Sequence, residues 1–137
     1  MHAIINLAES DKNSKEKLLH IFCVHLGLFE KDRKKQVQIL IDLISKNVSE
    51  SEALIIAGDF NDWKLNATKK LSLELGLKEA FHHINKKHPI TFPANFPMLA
   101  LDRIYYKNIK CLNVNLMKNG IWNKLSDHLA ICAEFQI

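Results

Sequence analysis

The stretch Leu54-Ile55-Ile56-Ala57-Gly58-Asp59-Phe60-Asn61-Asp62-Trp63 sets an unbroken apolar run against two carboxylates and an amide. Apolar residues without alternation over Ala53 to Ala57 suit a strand covered on both faces, hence one at the centre of a sheet. The polar cluster behind it reads in two ways. It is either an Asx-type turn that closes the strand or a strand end that aims carboxylates at a cation or a phosphate. The rest of the chain decides between them.

Upstream, Val37, Leu40, Ile41, Ile44 and Val48 recur at steps of three and four, which predicts a helix over Glu30 to Val48 with one apolar stripe. Its other face carries Lys34, Lys35, Gln38 and Asp42. Before it, His2 to Leu7 and Leu18 to Leu26 read as strands joined by a polar turn over 10–17. Downstream, Asn66 to Leu75 reads as a helix stopped by Gly76, and Lys78 to Ile84 as a short second one. Residues 88–99 hold all 3 prolines and read as an irregular loop. Leu101 to Tyr106, Ile109 to Leu116 and Leu129 to Ile137 complete the strands. The order is that of an α/β domain: one mixed sheet with helices on one face. The opposite face is then bare, and a sheet with a bare apolar face needs something packed upon it.

The chain has 137 residues, 47% apolar and 25% charged, which suits a single globular domain and excludes disordered and fibrous classes. No apolar run reaches the ~20 residues of a membrane span. The start lacks the basic and apolar regions of a secretion signal, so a cytoplasmic location is expected. The 3 cysteines, Cys23, Cys111 and Cys132, lie among apolar residues without metal-type spacing. They read as buried free thiols of a reducing compartment. A net charge of +4 favours anionic partners, weakly.

Polar residues gather at the ends of apolar segments: His25, Asp59 and Asn61, Asp102, then Asp127 and His128. These residue types suit phosphoryl chemistry. Carboxylates hold a divalent cation and orient water, histidines move protons or neutralise charge, and an amide binds a phosphate oxygen without a charge.

The segments VHLGL, GDFN, LDRI and SDH, in that order, resemble the motifs of the endonuclease/exonuclease/phosphatase superfamily, whose fold is the DNase I-like α/β sandwich. The resemblance runs over the whole chain. It implies hydrolysis of a phosphodiester or phosphomonoester by in-line attack of water, assisted by Mg²⁺ or Mn²⁺. The implied substrate is a nucleic acid, phospholipid or nucleotide. Asp59 would orient or deprotonate the water, and Asn61 would hold that water or a phosphate oxygen. Asp127, with Asp59 as a possible second ligand, would bind the metal. His128 would contact the scissile phosphate while Asp102 fixes its tautomer, and His25 would stabilise developing charge. Asn61, Trp63 and Arg103 are the candidates for substrate contact.

The resemblance is that of a C-terminal half, so the implied domain over 1–137 is incomplete at its N-terminal end. The family's early Asn strand and its Glu metal ligand have no counterpart, since Glu9 and Glu16 fall in the expected turn. A truncated product, a misassigned start, one half of a split enzyme and a self-associating chain all fit. The alternative to an enzyme is a remnant or interaction module without turnover. Outside the motifs, His82, His83 and His88 read as a solvated loop cluster, since their spacing matches no zinc site. The run Lys31, Arg33, Lys34 and Lys35 reads as a solvated helix face. Trp63 and Trp122 flank motif residues, and Phe92, Phe96 and Met98 make an apolar rim beside the LDRI motif.

Overall fold

The structure, a computed structural model, describes residues 1–7 and 17–136. Most of the expected polar turn, with Glu9 and Glu16, lies outside the described residues. The elements are β1 (His2–Asn6), β2 (Leu18–His25), α1 (Glu30–Asn47), β3 (Ala53–Asp59), α2 (Asn66–Leu75), β4 (Lys78–Glu79), α3 (Ala80–Asn85), β5 (Asp102–Lys107), β6 (Lys110–Met117), α4 (Trp122–Leu125) and β7 (Ala130–Gln136).

A mixed 5-stranded sheet runs in the order β1-β2-β3-β5-β4, with β3 at its centre. β2 and β3 are parallel and the other pairs antiparallel. Phe22 of β2, Leu54 and Ile56 of β3 and Tyr105 of β5 face α1 and α2, whose Val37, Leu40, Ile41, Ile44, Leu71 and Leu75 close one core. Gly76 in the left-handed region ends α2.

Two expectations change. β6 and β7 do not join the main sheet. They pair with each other as a 2-stranded sheet whose Val114, Leu116, Ile131, Ala133 and Phe135 pack with Ile55 and Ala57 of β3 and Ile104 and Tyr106 of β5. The face opposite the helices is therefore partly covered from within the chain. The segment Lys78–Ile84 splits: Lys78 and Glu79 pair with β5, and the helix begins at Ala80.

The 3 cysteines are free, but only Cys111 is buried. Cys23 and Cys132 are exposed because strand alternation turns each to an uncovered face. Among the described residues no helix is long and apolar enough to cross a membrane.

Candidate active site

The register of the sheet builds the site. His25 pairs with Asp59 across β2 and β3, and Asp59 pairs with Asp102 across β3 and β5. Partners across a ladder share a face, so these three side chains stand in one row, on the face away from α1 and α2. β2 and β3 end at this row and β5 begins there. A cleft of about 620 Å³ lies over it, lined also by Asn61, Trp63, Phe92, Asp127 and His128.

Local contacts hold each member of the row. His25 Nε2 stands 3.5 Å from Asp59 Oδ2, with the His25 side chain 78% exposed and that of Asp59 16%. Asp59 Oδ1 accepts the Asn61 backbone N–H at 2.8 Å, which fixes the carboxylate relative to the turn. Asn61 lies in the left-handed region at φ 48°, a conformation Asn tolerates better than most residues. Its side-chain amide donates to Leu26 O at 2.8 Å, tying the turn after β3 to the end of β2.

Asp102 holds His128. His128 Nδ1 donates to Asp102 Oδ2 at 2.8 Å, which leaves Nε2 as the ring nitrogen for the cleft. The Thr91 hydroxyl donates to the same Oδ2 at 2.5 Å, and Phe92 packs on the imidazole at 4.9 Å between centroids. Partial burial pushes the His128 pKa down, but the hydrogen bond and charge of Asp102, joined by Asp59 and Asp127, outweigh it and hold it above the ordinary value. The loop is stitched to this group by Leu129 N–H to Thr91 O and Ala94 N–H to Asp127 O.

Several residues fall elsewhere. Arg103 is not in the cleft: it is 1% exposed on the helix-facing side of β5, because strand alternation sends it opposite to Asp102. Its Nη1 donates to Asp102 O, while Nε and Nη2 have no hydrogen-bond partner among the described residues. The Asp102 carboxylate is thus engaged by Thr91 and His128. Asp62, the second acid of the opening stretch, is buried and structural. Its carboxylate accepts the N–H groups of Asn66, Ala67 and Thr68, the first three of α2. Arg33 leaves the expected solvated face. It is buried, donates to Gly27 O and Leu28 O, and lies 5.0 Å over the half-exposed Trp63 ring. His82 and His83 stand on α3, not in a loop, and His88 is anchored to Glu79 at 2.8 Å.

Sequence reading missed Thr91, which is fully buried and has no periodic signal inside a proline-rich loop. Among the described residues no three His, Cys, Asp or Glu converge as a metal cluster. Asp59 and Asp127 share the cleft, and two carboxylates suit a hard cation such as Mg²⁺ that keeps most of its waters and shares a substrate phosphate.

Residues 6–128 match the Endonuclease/Exonuclease/phosphatase family. Protein YbhP of Escherichia coli, itself uncharacterized, is 38% identical over 121 residues, covering 88% of this chain and 47% of YbhP. The chain thus spans about half the length of the curated relatives it matches. Among solved structures, a humanized Danio rerio TDP2 superposes with a TM-score of 0.71 at 21% identity, over 88% of this chain and 56% of that one. The human Nocturnin catalytic domain with bound sulfate gives a TM-score of 0.66 at 19% identity, over 99% and 58%. At those identities the likeness is one of fold, whereas the match over 6–128 carries the assignment: the chain belongs to the endonuclease/exonuclease/phosphatase family.

Proposed function

We propose that the chain bears the hydrolytic residues of a divalent-metal-dependent phosphoesterase in which water attacks phosphorus in line. The observation that carries this reading is the row His25–Asp59–Asp102 on three adjacent strands, with His128 bonded to its last member. Members of the family are phosphoesterases that generally use divalent metals, and the sulfate in the Nocturnin structure is a tetrahedral anion like phosphate.

In this reading Asp59 and Asp127 hold Mg²⁺ or Mn²⁺, which when bound neutralises charge on phosphoryl oxygens. Asp59, held by the Asn61 N–H, orients the attacking water and takes its proton. The second side-chain N–H of Asn61 serves a phosphate oxygen. His128 turns Nε2 toward the phosphate, with Asp102 orienting the ring and favouring its charged form, in which Nε2 donates. His25, at the open mouth, stabilises charge that develops on phosphorus oxygens. Trp63 flanks the cleft and offers a face for the group the phosphate is attached to. Arg103, buried on the helix-facing side of β5, is left out of this reading.

A second reading, a module without turnover, draws on one observation: the described residues contain no three-ligand metal cluster. Hydrolysis of bis-p-nitrophenyl phosphate with Mg²⁺, Mn²⁺ or EDTA, by the chain and by Asp59→Ala and His128→Ala, separates the two. Metal-dependent turnover lost in both variants supports the enzyme. Turnover that survives EDTA, or survives Asp59→Ala, refutes the assigned roles. A folded chain without turnover favours the module.

A further inference from the structure

Three chain segments meet at the mouth of the cleft. Leu28 from the connection between β2 and α1, Leu99 from the loop before β5 and Ser126 from the segment before β7 all line it. Around these, Leu28, Phe29, Phe96, Met98, Ile121 and Leu125 are each 62–76% exposed. A single exposed apolar residue needs no explanation, whereas six from separate segments around one opening mark a contact surface. They stand on loops and on the short α4, not along a sheet face or in a groove. Such a collar suits insertion into a soft apolar phase better than it suits the seating of a strand or helix.

Lysines stand among these side chains. Lys31 and Lys34 follow Phe29, Lys64 follows Trp63, and Lys118 and Lys124 flank Ile121 and Trp122. All five are exposed, and segments 92–101 and 118–126 carry no acid. Their stems can run along apolar surface while the ammonium groups reach anionic headgroups. Trp63 and Trp122, the 2 tryptophans of the chain, lie in the same collar, where a ring with one polar atom suits the level of lipid headgroups. Inside, the lining is Leu28, Trp63, Phe92, Leu99 and Leu101 beside the acids and imidazoles of the row, with no Lys or Arg among the described lining residues. A polynucleotide, charged at every nucleotide, needs cations along its track. This lining suits one phosphate that carries apolar material.

We infer that this collar seats the mouth of the cleft on an anionic phospholipid bilayer, so that the phosphoester it admits is drawn from the lipid surface. The apolar tips enter the headgroup region and the lysines meet lipid phosphates, while the chain lies on the membrane without crossing it. A second copy suits the collar badly. Symmetric pairing through it would set Lys118 and Lys124 against their own kind and seal the cleft. The docking stands apart from catalysis, whereas the lipid-borne substrate rests on the hydrolytic reading above.

The test is partition of the purified chain onto vesicles of phosphatidylcholine, with and without phosphatidylglycerol, read by co-sedimentation and tryptophan emission in EDTA. The expected result is binding to the anionic vesicles that salt weakens, with a blue shift and quenching by brominated acyl chains, because both tryptophans belong to the collar. Phe96→Asp and Ile121→Asp should each lower partition by about ten-fold or more. Leu73→Asp, at an exposed position of α2, should not. Absence of partition, equal loss in Leu73→Asp, or an emission change on single-stranded DNA but not on vesicles overturns the inference. A second arm adds Mg²⁺ or Mn²⁺ and compares soluble bis-p-nitrophenyl phosphate with hexadecyl p-nitrophenyl phosphate held in the vesicles. Water attacks phosphorus in each, and p-nitrophenolate leaves. The two collar variants should slow the vesicle-borne ester by about ten-fold and spare the soluble one. Equal effects on both esters overturn the lipid-borne substrate. A chain that docks as expected and cleaves neither ester supports the docking and refutes the hydrolytic reading instead.

Discussion

Replacing Gly58 by alanine should cost far more than its place one residue before the His25–Asp59–Asp102 row suggests. Gly58 sits at φ +145°, and a Cβ there would lie 1.9 Å from Val24 O and 2.9 Å from its carbonyl carbon. Both contacts are with backbone, so no side chain can swing away; β2 itself must withdraw from β3. Overpacking costs about 1–3 kcal/mol and a positive-φ side chain a further 1–3 or so, giving roughly 2–6 kcal/mol together. Gly76→Ala is the control. It shares a positive φ of +67°, yet an added Cβ meets nothing within 4 Å, so it should lose only about 1–2 kcal/mol. Urea unfolding followed by circular dichroism resolves the difference. With a slope of about 2 kcal/mol per molar, the Gly58→Ala midpoint should fall by roughly 1–3 M. Val24 and Gly58 are register partners next to His25 and Asp59, so the same change should pull that pair apart. Equal destabilisation of the two variants would refute the claim that close approach of β2 dictates the glycine.

Asp62→Ala removes the acceptor of three α2 amides and should cost about 0.5–2 kcal/mol in the same assay, without changing metal dependence of any turnover. The His128 ring, followed by NMR titration, should titrate above a free histidine, and Asp102→Asn should lower that value. The sign follows from linkage. A raised folded-state pKa contributes stability that is complete below the unfolded value of about 6.5 and is lost as pH rises through the folded value. Asp102→Asn should flatten that pH dependence. Thr91→Val leaves a partly buried Asp102 oxygen short of one donor, at a cost of about 1–3 kcal/mol.

Much of this was legible in the sequence because it is local or periodic. The apolar run Ala53–Ala57 marks the central strand, the three- and four-residue steps mark α1, and polar residues at strand ends mark the row. Pairing was less legible. β6 and β7 read like any half-buried strands, and nothing in their alternation says that they pair with each other outside the main sheet. Arg103 and Cys23 were misplaced although period two settles both. Arg103 alternates with Asp102 away from the cleft, and Cys23 shares a face with His25. Asp62 was grouped with Asp59 by adjacency, yet an acid just before a helix is first a candidate cap. Thr91 is invisible because the prolines that shape its loop carry no period.

Backbone ladders set the spacing of His25, Asp59 and Asp102, whereas loops supply Trp63, Phe92 and the residues before His128. The cleft is therefore a stiff floor with exchangeable walls. Insertions or substitutions in 92–99 and in 118–126, the segment that carries α4, can reshape what is admitted while the floor keeps its geometry, so engineering of the cleft should begin in those two segments and leave the ladder untouched.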